Sequence, residues 1–356
     1  MMTAACSGPA MARQDAMLPG VSRTFALTIP QLPEPLRPAI TNAYLLCRTA
    51  DTIEDSTTLS LDDKAQHYDA LVGMLEGRTA PEAFAEGLLA AAPIALTTER
   101  ELIHQAPALA TVYHGLPEAQ QRALRRCVRI MCQGMLRFEP LKHPHGLPDR
   151  EHFRDYCYVV AGVVGEMLTE LFALSDTAIA RQRDRLMALA RGFGQGLQMT
   201  NILKDLHDDR ARGICWLPRD LLEQHGCTLD AQGRWLRDAA FQRAMRSLVA
   251  VAHHQLRQAR TYTLTVPPHQ QGMRRFCSWA IGMALYTLRN IERRPCFGAA
   301  AEVKISRTRL RAIILGCNLA VRSDTLLRGG FTLATRGLPL PGPDDLHGLT
   351  GGHCPA

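Results

Sequence analysis

The chain contains no run of five like charges and no RNA-binding signature. Lys plus Arg number 41 against 34 for Asp plus Glu; the resulting +7 implies no nucleic-acid partner but is compatible with an anionic substrate or a membrane surface. No CxxC pair occurs among the 11 cysteines, whose odd number and scatter fit reduced thiols better than a disulfide framework. Adjacent His253 and His254 point different ways from a helix, so zinc has no ligand spacing to use. The opening MMTAACSGPAMARQD lacks a basic region followed by an apolar core, and no secretory signal is expected. The longest apolar stretch, residues 158–174, is interrupted by Glu166 and Glu170 and is too short to cross a bilayer uninterrupted, so a soluble or at most peripheral protein is expected. Strand-type alternation between turn signals is nearly absent, which argues against a sheet.

What is present is helical periodicity in a chain of 356 residues that is 46% hydrophobic, long enough to enclose a core and a sizeable apolar cavity. Leu36, Ile40, Ala43, Tyr44, Cys47, Ala50 and Ile53 recur at threes and fours and predict a helix over residues 35–55. Further helices are expected near 61–76, 99–114, 117–138, 150–174, 176–208, 234–263, 270–291 and 303–320. The expected organisation is one all-α domain over 14–330, a disordered N-terminus over 1–13 and a flexible Pro/Gly-rich tail over 331–356. Gly192, Gly194 and Gly196 form a GxGxG, but no strand precedes it; small residues on a cavity-facing helix are expected instead of a dinucleotide loop.

Two acidic clusters stand out. In QMTNILKDLHDD at 198–209, Asp205 and Asp209 lie one helical turn apart, with Asn201 and Gln198 extending the stripe backwards and Met199, Ile202, Leu203 and Leu206 on other faces. In DTIED at 51–55, Asp51 meets Glu54 and Asp55 at i+3 and i+4, while Arg48 and Tyr44 sit one and two turns before it. A lone DxxxD is ordinarily a solvated helix face. Two clusters with neighbouring amides and Arg raise a second reading, in which facing helices hold Mg²⁺ through carboxylates and leave coordination positions for phosphate oxygens.

DTIED after a YLLCR lead, together with the 198–209 stretch, closely resembles the squalene and phytoene synthase family. SRTF at 22–25, YCYVVAGVVG at 156–165 and FC at 276–277 agree, so the resemblance covers about 22–320 in consistent order. It implies a single-domain isoprenoid-synthase helical fold around a central cavity. By residue match it implies Mg²⁺ held by Asp51, Glu54, Asp55, Asp205 and Asp209. Diphosphate oxygens would be oriented by Ser22, Arg23, Arg48, Gln198, Asn201, Lys204 and Arg212. Tyr156 matches the tyrosine thought to act near the cation or the departing proton; the other reading is a core aromatic with a satisfied hydroxyl. Phe25, Tyr44, Val160 and Phe276 would line a dry cavity, although ordinary core packing is the default for each.

Within the family, SRTF, DTIED, the FC helix and VKI at 303–305 resemble the squalene synthases. These join two farnesyl diphosphates head to head into presqualene diphosphate, then ionise it again and quench the cation with NADPH hydride. Lys304, with Arg307 nearby, is the expected cofactor-phosphate contact, although a basic residue opening a late helix is more often solvated surface. Departures from the pattern are Lys204 where Arg is frequent, Ala280 in place of a proline, Ser306 in the Lys-Ile-Arg pattern, and Glu166 and Glu170 at positions usually neutral or basic. The hydrophobic C-terminal anchor of eukaryotic members is missing, so a bacterial enzyme, cytosolic or membrane-peripheral and monomeric, is expected. The alternatives are a synthase that stops at presqualene diphosphate, dehydrosqualene or phytoene without hydride transfer, and a non-catalytic scaffold of the same fold.

Overall fold

The structure, a computed structural model, describes residues 4–22, 24–231 and 233–349. Among these there are helices and no strands; the only ladder-like pairings are isolated bridges between Leu147 and Pro218 and between Leu229 and Trp235. The chain forms two compact units.

The first unit takes residues 1–139 and 166–183. It contains α1 (Ala4–Val21), α2 (Arg37–Asp55), α3 (Leu61–Leu75), α4 (Pro81–Ala91), α5 (Thr97–His104), α6 (Ala106–Gly115) and α7 (Glu118–Phe138). The period read in α2 is its buried face: Leu36, Ile40, Ala43, Cys47, Ala50 and Ile53 are all buried, and Tyr44 is half-buried. α3 starts at a capping box, with Ser60 Oγ accepting from the Asp63 amide at 3.1 Å and Asp63 Oδ2 accepting from the Ser60 amide at 3.1 Å. The single helix expected at 99–114 breaks at Gln105, because Pro107 has no amide to donate and sits in the first turn of α6.

The second unit takes residues 140–165 and 184–356. α8 (Arg150–Cys157) runs into a π-helical segment, Tyr158–Gly162, and then α9 (Val163–Ser175), whose residues from 166 on are counted with the first unit. α10 (Arg183–Ala211), α11 (Ala239–Thr265), α12 (Gln271–Arg293), α13 (Arg307–Ala320) and α14 (Asp324–Thr335) follow. α11 begins later than expected, where Asp238 accepts from the amides of Ala240 and Phe241. A Cβ on Gly194 would lie 2.0 Å from the Ala161 carbonyl oxygen, and one on Gly196 3.0 Å from the Leu256 amide. The GxGxG is therefore the close contact of α10 with the π segment and α11, not a cavity lining.

Both chain ends depart from expectation. α1 begins well inside the segment 1–13 expected to be disordered. It is held by the fully buried Gln14, which donates to the Pro38 carbonyl at 3.1 Å and accepts from Asn42 at 3.3 Å. Ala10 packs on Ala108 and Val112. Toward the other end, α14 runs through the proposed boundary at 330, and the described part of the segment expected to be flexible, up to residue 349, is tied down. Arg150 donates to the Asp344 carbonyl at 2.6 Å, Arg154 to the Gly348 carbonyl at 2.8 Å, and His253 Nδ1 lies 2.8 Å from the Pro339 carbonyl.

Arg150–Ser175 is long and apolar enough to cross a membrane, but 56% of its apolar window is buried within the protein. The two glutamates that interrupt it have ion-pair partners. Buried Glu166 accepts from Arg126 at 2.9 Å, and Glu170 from Arg183 Nε at 3.0 Å. A buried carboxylate in this setting requires such a partner.

Candidate active site

In the first unit the acidic cluster occupies the last turn of α2. Asp51 is partly exposed, Glu54 buried and Asp55 exposed. Arg48, one turn earlier, reaches Asp51 at 3.5 Å and pairs more closely with Glu99 of α5. Burial pushes the Asp51 carboxyl up to about 6; Asp55 and Glu99 add to the rise and Arg48 opposes it. The turn is fixed from behind by Lys64 of α3, itself only 2% exposed, which donates to the Glu54 carbonyl at 2.9 Å and to Glu139 at 2.5 Å. Glu99, Lys64 and Glu139 carry no local sequence signal, since each meets α2 from a distant element.

Of the remaining residues expected here, Tyr44 donates to the Val21 carbonyl at 3.1 Å and lies 4.9 Å, ring to ring, from Phe25. Ser22 Oγ accepts from the Phe25 amide at 2.9 Å, closing the turn that follows α1. Ser22, Phe25, Tyr44, Arg48 and the acidic turn thus belong to one unit. Arg23 lies outside the described residues.

In the second unit the cluster lies on the last turns of α10. Met199, Ile202, Leu203 and Leu206 are buried as expected, while Gln198 is half-buried and Asn201 and Asp208 are exposed. Lys204 Nζ sits 3.1 Å from both Asn201 Oδ1 and Asp205 Oδ2, and Arg212 donates to the buried Asp209 at 2.7 Å. Each carboxylate expected to bind metal is therefore matched here by a residue expected to bind phosphate. Tyr156 is buried and stacks flat on Trp216, at 3.9 Å between centroids and 9° between planes. Trp216 is a site neighbour that sequence reading missed, because nothing local connects residues 60 positions apart. Val160 is half-buried within the π segment, a distortion frequent at functional sites. Phe276 is buried in α12. Lys304 and Arg307 are exposed, and between them Ser306 caps α13 by accepting from the Arg309 amide at 3.2 Å.

Among the described residues no three Asp, Glu, His or Cys side chains converge as a metal-binding group. The clusters are hard oxygen donors in pairs. That set suits Mg²⁺, which takes one or two carboxylates and fills its remaining positions with water and substrate phosphate. The exposed cations Lys304 and Arg307 suit a phosphate group of a nucleotide cofactor by charge.

A profile described as squalene/phytoene synthase matches residues 18–309. The chain belongs to the squalene/phytoene synthase family. A squalene synthase from Gibberella zeae is 31% identical over 211 residues, 57% of this chain and 42% of that protein. The human squalene synthase is 27% identical over 274 residues, 75% of this chain and 60% of that one. The chain thus spans between two and three fifths of the length of these relatives. Among solved structures, a ligand complex of TcSQS superposes with a TM-score of 0.74 at 24% identity, covering 92% of this chain and 91% of that one. At that identity the likeness establishes a shared all-α isoprenoid-synthase fold.

Proposed function

We propose that the protein condenses two farnesyl diphosphates head to head into presqualene diphosphate and then, with NADPH, rearranges and reduces it to squalene. The observation that carries this is the equipment of the two acidic helices. Each presents a carboxylate pair one turn apart with a phosphate-type partner already on it, Arg48 on α2 and Lys204 and Arg212 on α10.

On this reading Asp51, Glu54 and Asp55 on α2, and Asp205 and Asp209 on α10, would each hold Mg²⁺, which would supply positive charge against a departing diphosphate. Ser22, Arg23, Arg48, Gln198, Asn201, Lys204 and Arg212 bind the diphosphate oxygens, the arginines through two parallel donors. Acidic partners hold Arg48 and Arg212, Glu99 the one and Asp209 the other. The Tyr156 hydroxyl works beside the cation or the departing proton, with the ring kept flat by Trp216. Phe25, Tyr44, Val160 and Phe276 keep water from the cation. Lys304 with Arg307 would hold the phosphate of NADPH, which would supply the hydride. The protein acts as a monomer in the cytoplasm or at a membrane surface.

A second reading stops without hydride transfer, at presqualene diphosphate, dehydrosqualene or phytoene; the exposure of Lys304 and Arg307 favours it. Purified protein given farnesyl or geranylgeranyl diphosphate and Mg²⁺, with and without NADPH, separates the two by mass spectrometry of products. Squalene formed only with NADPH is the expected result. The same product in both conditions, or phytoene from geranylgeranyl diphosphate, would overturn it.

A further inference from the structure

α13 and α14 present an apolar stripe to solvent. The buried faces of the pair are already spent: Ile313 and Ala320 on α13, and Leu327, Phe331 and Ala334 on α14. On the outer faces Leu315, Leu319, Leu326 and Leu333 are exposed by 62%, 70%, 57% and 61%, followed by Leu340 at 60%. These are five of the eleven exposed large hydrophobic side chains among the described residues, gathered in one short stretch of the chain, a denser grouping than the usual scatter.

The charge along this stretch is mostly of one sign. Residues 308–336 contain five arginines and a single acidic residue, Asp324, which is taken by buried Arg274 at 2.7 Å. In α13, Arg311 stands one turn before Leu315, and Arg322 follows Leu319 by three residues. In α14, Arg322 precedes Leu326 by four and Arg336 follows Leu333 by three; Arg311, Arg322 and Arg336 are all exposed. Leucines bracketed at both ends by arginines match the layout of interfacial helices, whose apolar side chains enter the acyl boundary while guanidinium groups meet headgroups. The α13 start and the α14 end lie on the same side, because Arg309 and Arg289 both sit over the Tyr286 ring and Arg289 also donates to the Leu333 carbonyl at 3.4 Å.

We propose that the α13–α14 face docks the protein on an anionic lipid bilayer. Charge decides the occupant. A second copy meeting this face about a two-fold axis would set arginine against arginine, whereas an anionic leaflet neutralises all of them. The proposal stands apart from the catalytic reading, since neither the acidic helices nor Lys304 and Arg307 take part in it.

The test is cosedimentation of the full chain with vesicles, without substrate. Binding to vesicles of equal parts phosphatidylcholine and phosphatidylglycerol is expected, with none to pure phosphatidylcholine, and with weakening as salt rises. Two variants, L315S/L319S/L326S/L333S and R311E/R322E/R336E, should each reduce partitioning by about tenfold or more, with an unchanged circular-dichroism spectrum. Wild-type protein that ignores anionic vesicles, or variants that bind as well as wild type, would refute the assignment. So would a concentration-dependent dimer, seen by light scattering, that the serine variant abolishes, since it would assign the face to a second copy.

Discussion

Asp51 combines a function and a cost in one carboxyl. Its ionisation is pushed up to about 6 by burial and by the neighbouring Asp55 and Glu99. The folded protein thus binds this proton more tightly than the unfolded chain, and the group's contribution to stability falls as pH rises from about 4 to about 6. Asp51→Asn removes the penalty and should raise the metal-free denaturation midpoint above pH 6, on the order of 1 kcal/mol after screening of its partly exposed oxygens. Below about pH 4, where the wild-type group is neutral too, the gain should vanish. The same variant should lose turnover, and wild-type affinity for Mg²⁺ should fall as pH drops below 6. A variant no more stable than wild type at pH 8 would contradict the assigned burden. At the other cluster, Asp205→Asn should abolish turnover with the helical circular-dichroism signal intact, and full activity would remove Asp205 from the metal site.

At the scale of elements, α10 shows how one helix serves two purposes. Its N-terminal half is pared to glycine so that it can press against the π segment and α11, and its C-terminal half carries the carboxylates. Gly194→Ala forces a methyl group to within 2.0 Å of the Ala161 carbonyl oxygen. This should cost about 1–3 kcal/mol in urea unfolding. Gly316→Ala, in α13 with nothing within 4 Å, should instead stabilise by about 0.5–1 kcal/mol. Equal effects from both substitutions would show that the close contact is not made. The helix types and most of their cores were legible because burial repeats every three or four residues, as at Leu36 to Ile53. Their ends were less so: the break at Pro107 and the start at Asp238 depend on single backbone donors and acceptors that periodicity does not register.

For the molecule as a whole, the tail illustrates binding that composition conceals. Residues 338–349 are rich in Pro and Gly, yet their carbonyl groups accept from Arg150, Arg154 and His253. Deleting residues 338–356 strips Arg150 of one partner, leaving it with Asp220, and uncovers the ground beneath buried Leu349. A loss of about 2 kcal/mol is expected, read as a lower thermal midpoint; an unchanged melt would mean that the tail is not held.

The sequence by itself determined the helical class and the placement of both acidic pairs on helices, because those features are written at spacings of three, four and seven within a segment, and the resemblance of its motifs gave the family. Tertiary structure alone decided that Glu99 would hold Arg48, that Lys64 would brace the turn of Asp51 and Glu54, that Trp216 would stack on Tyr156, and that the glycines of α10 would receive a neighbouring backbone. Each of those contacts joins residues from separate elements. Which distant partners meet is selected by the packing of all the helices together, and no local pattern carries it.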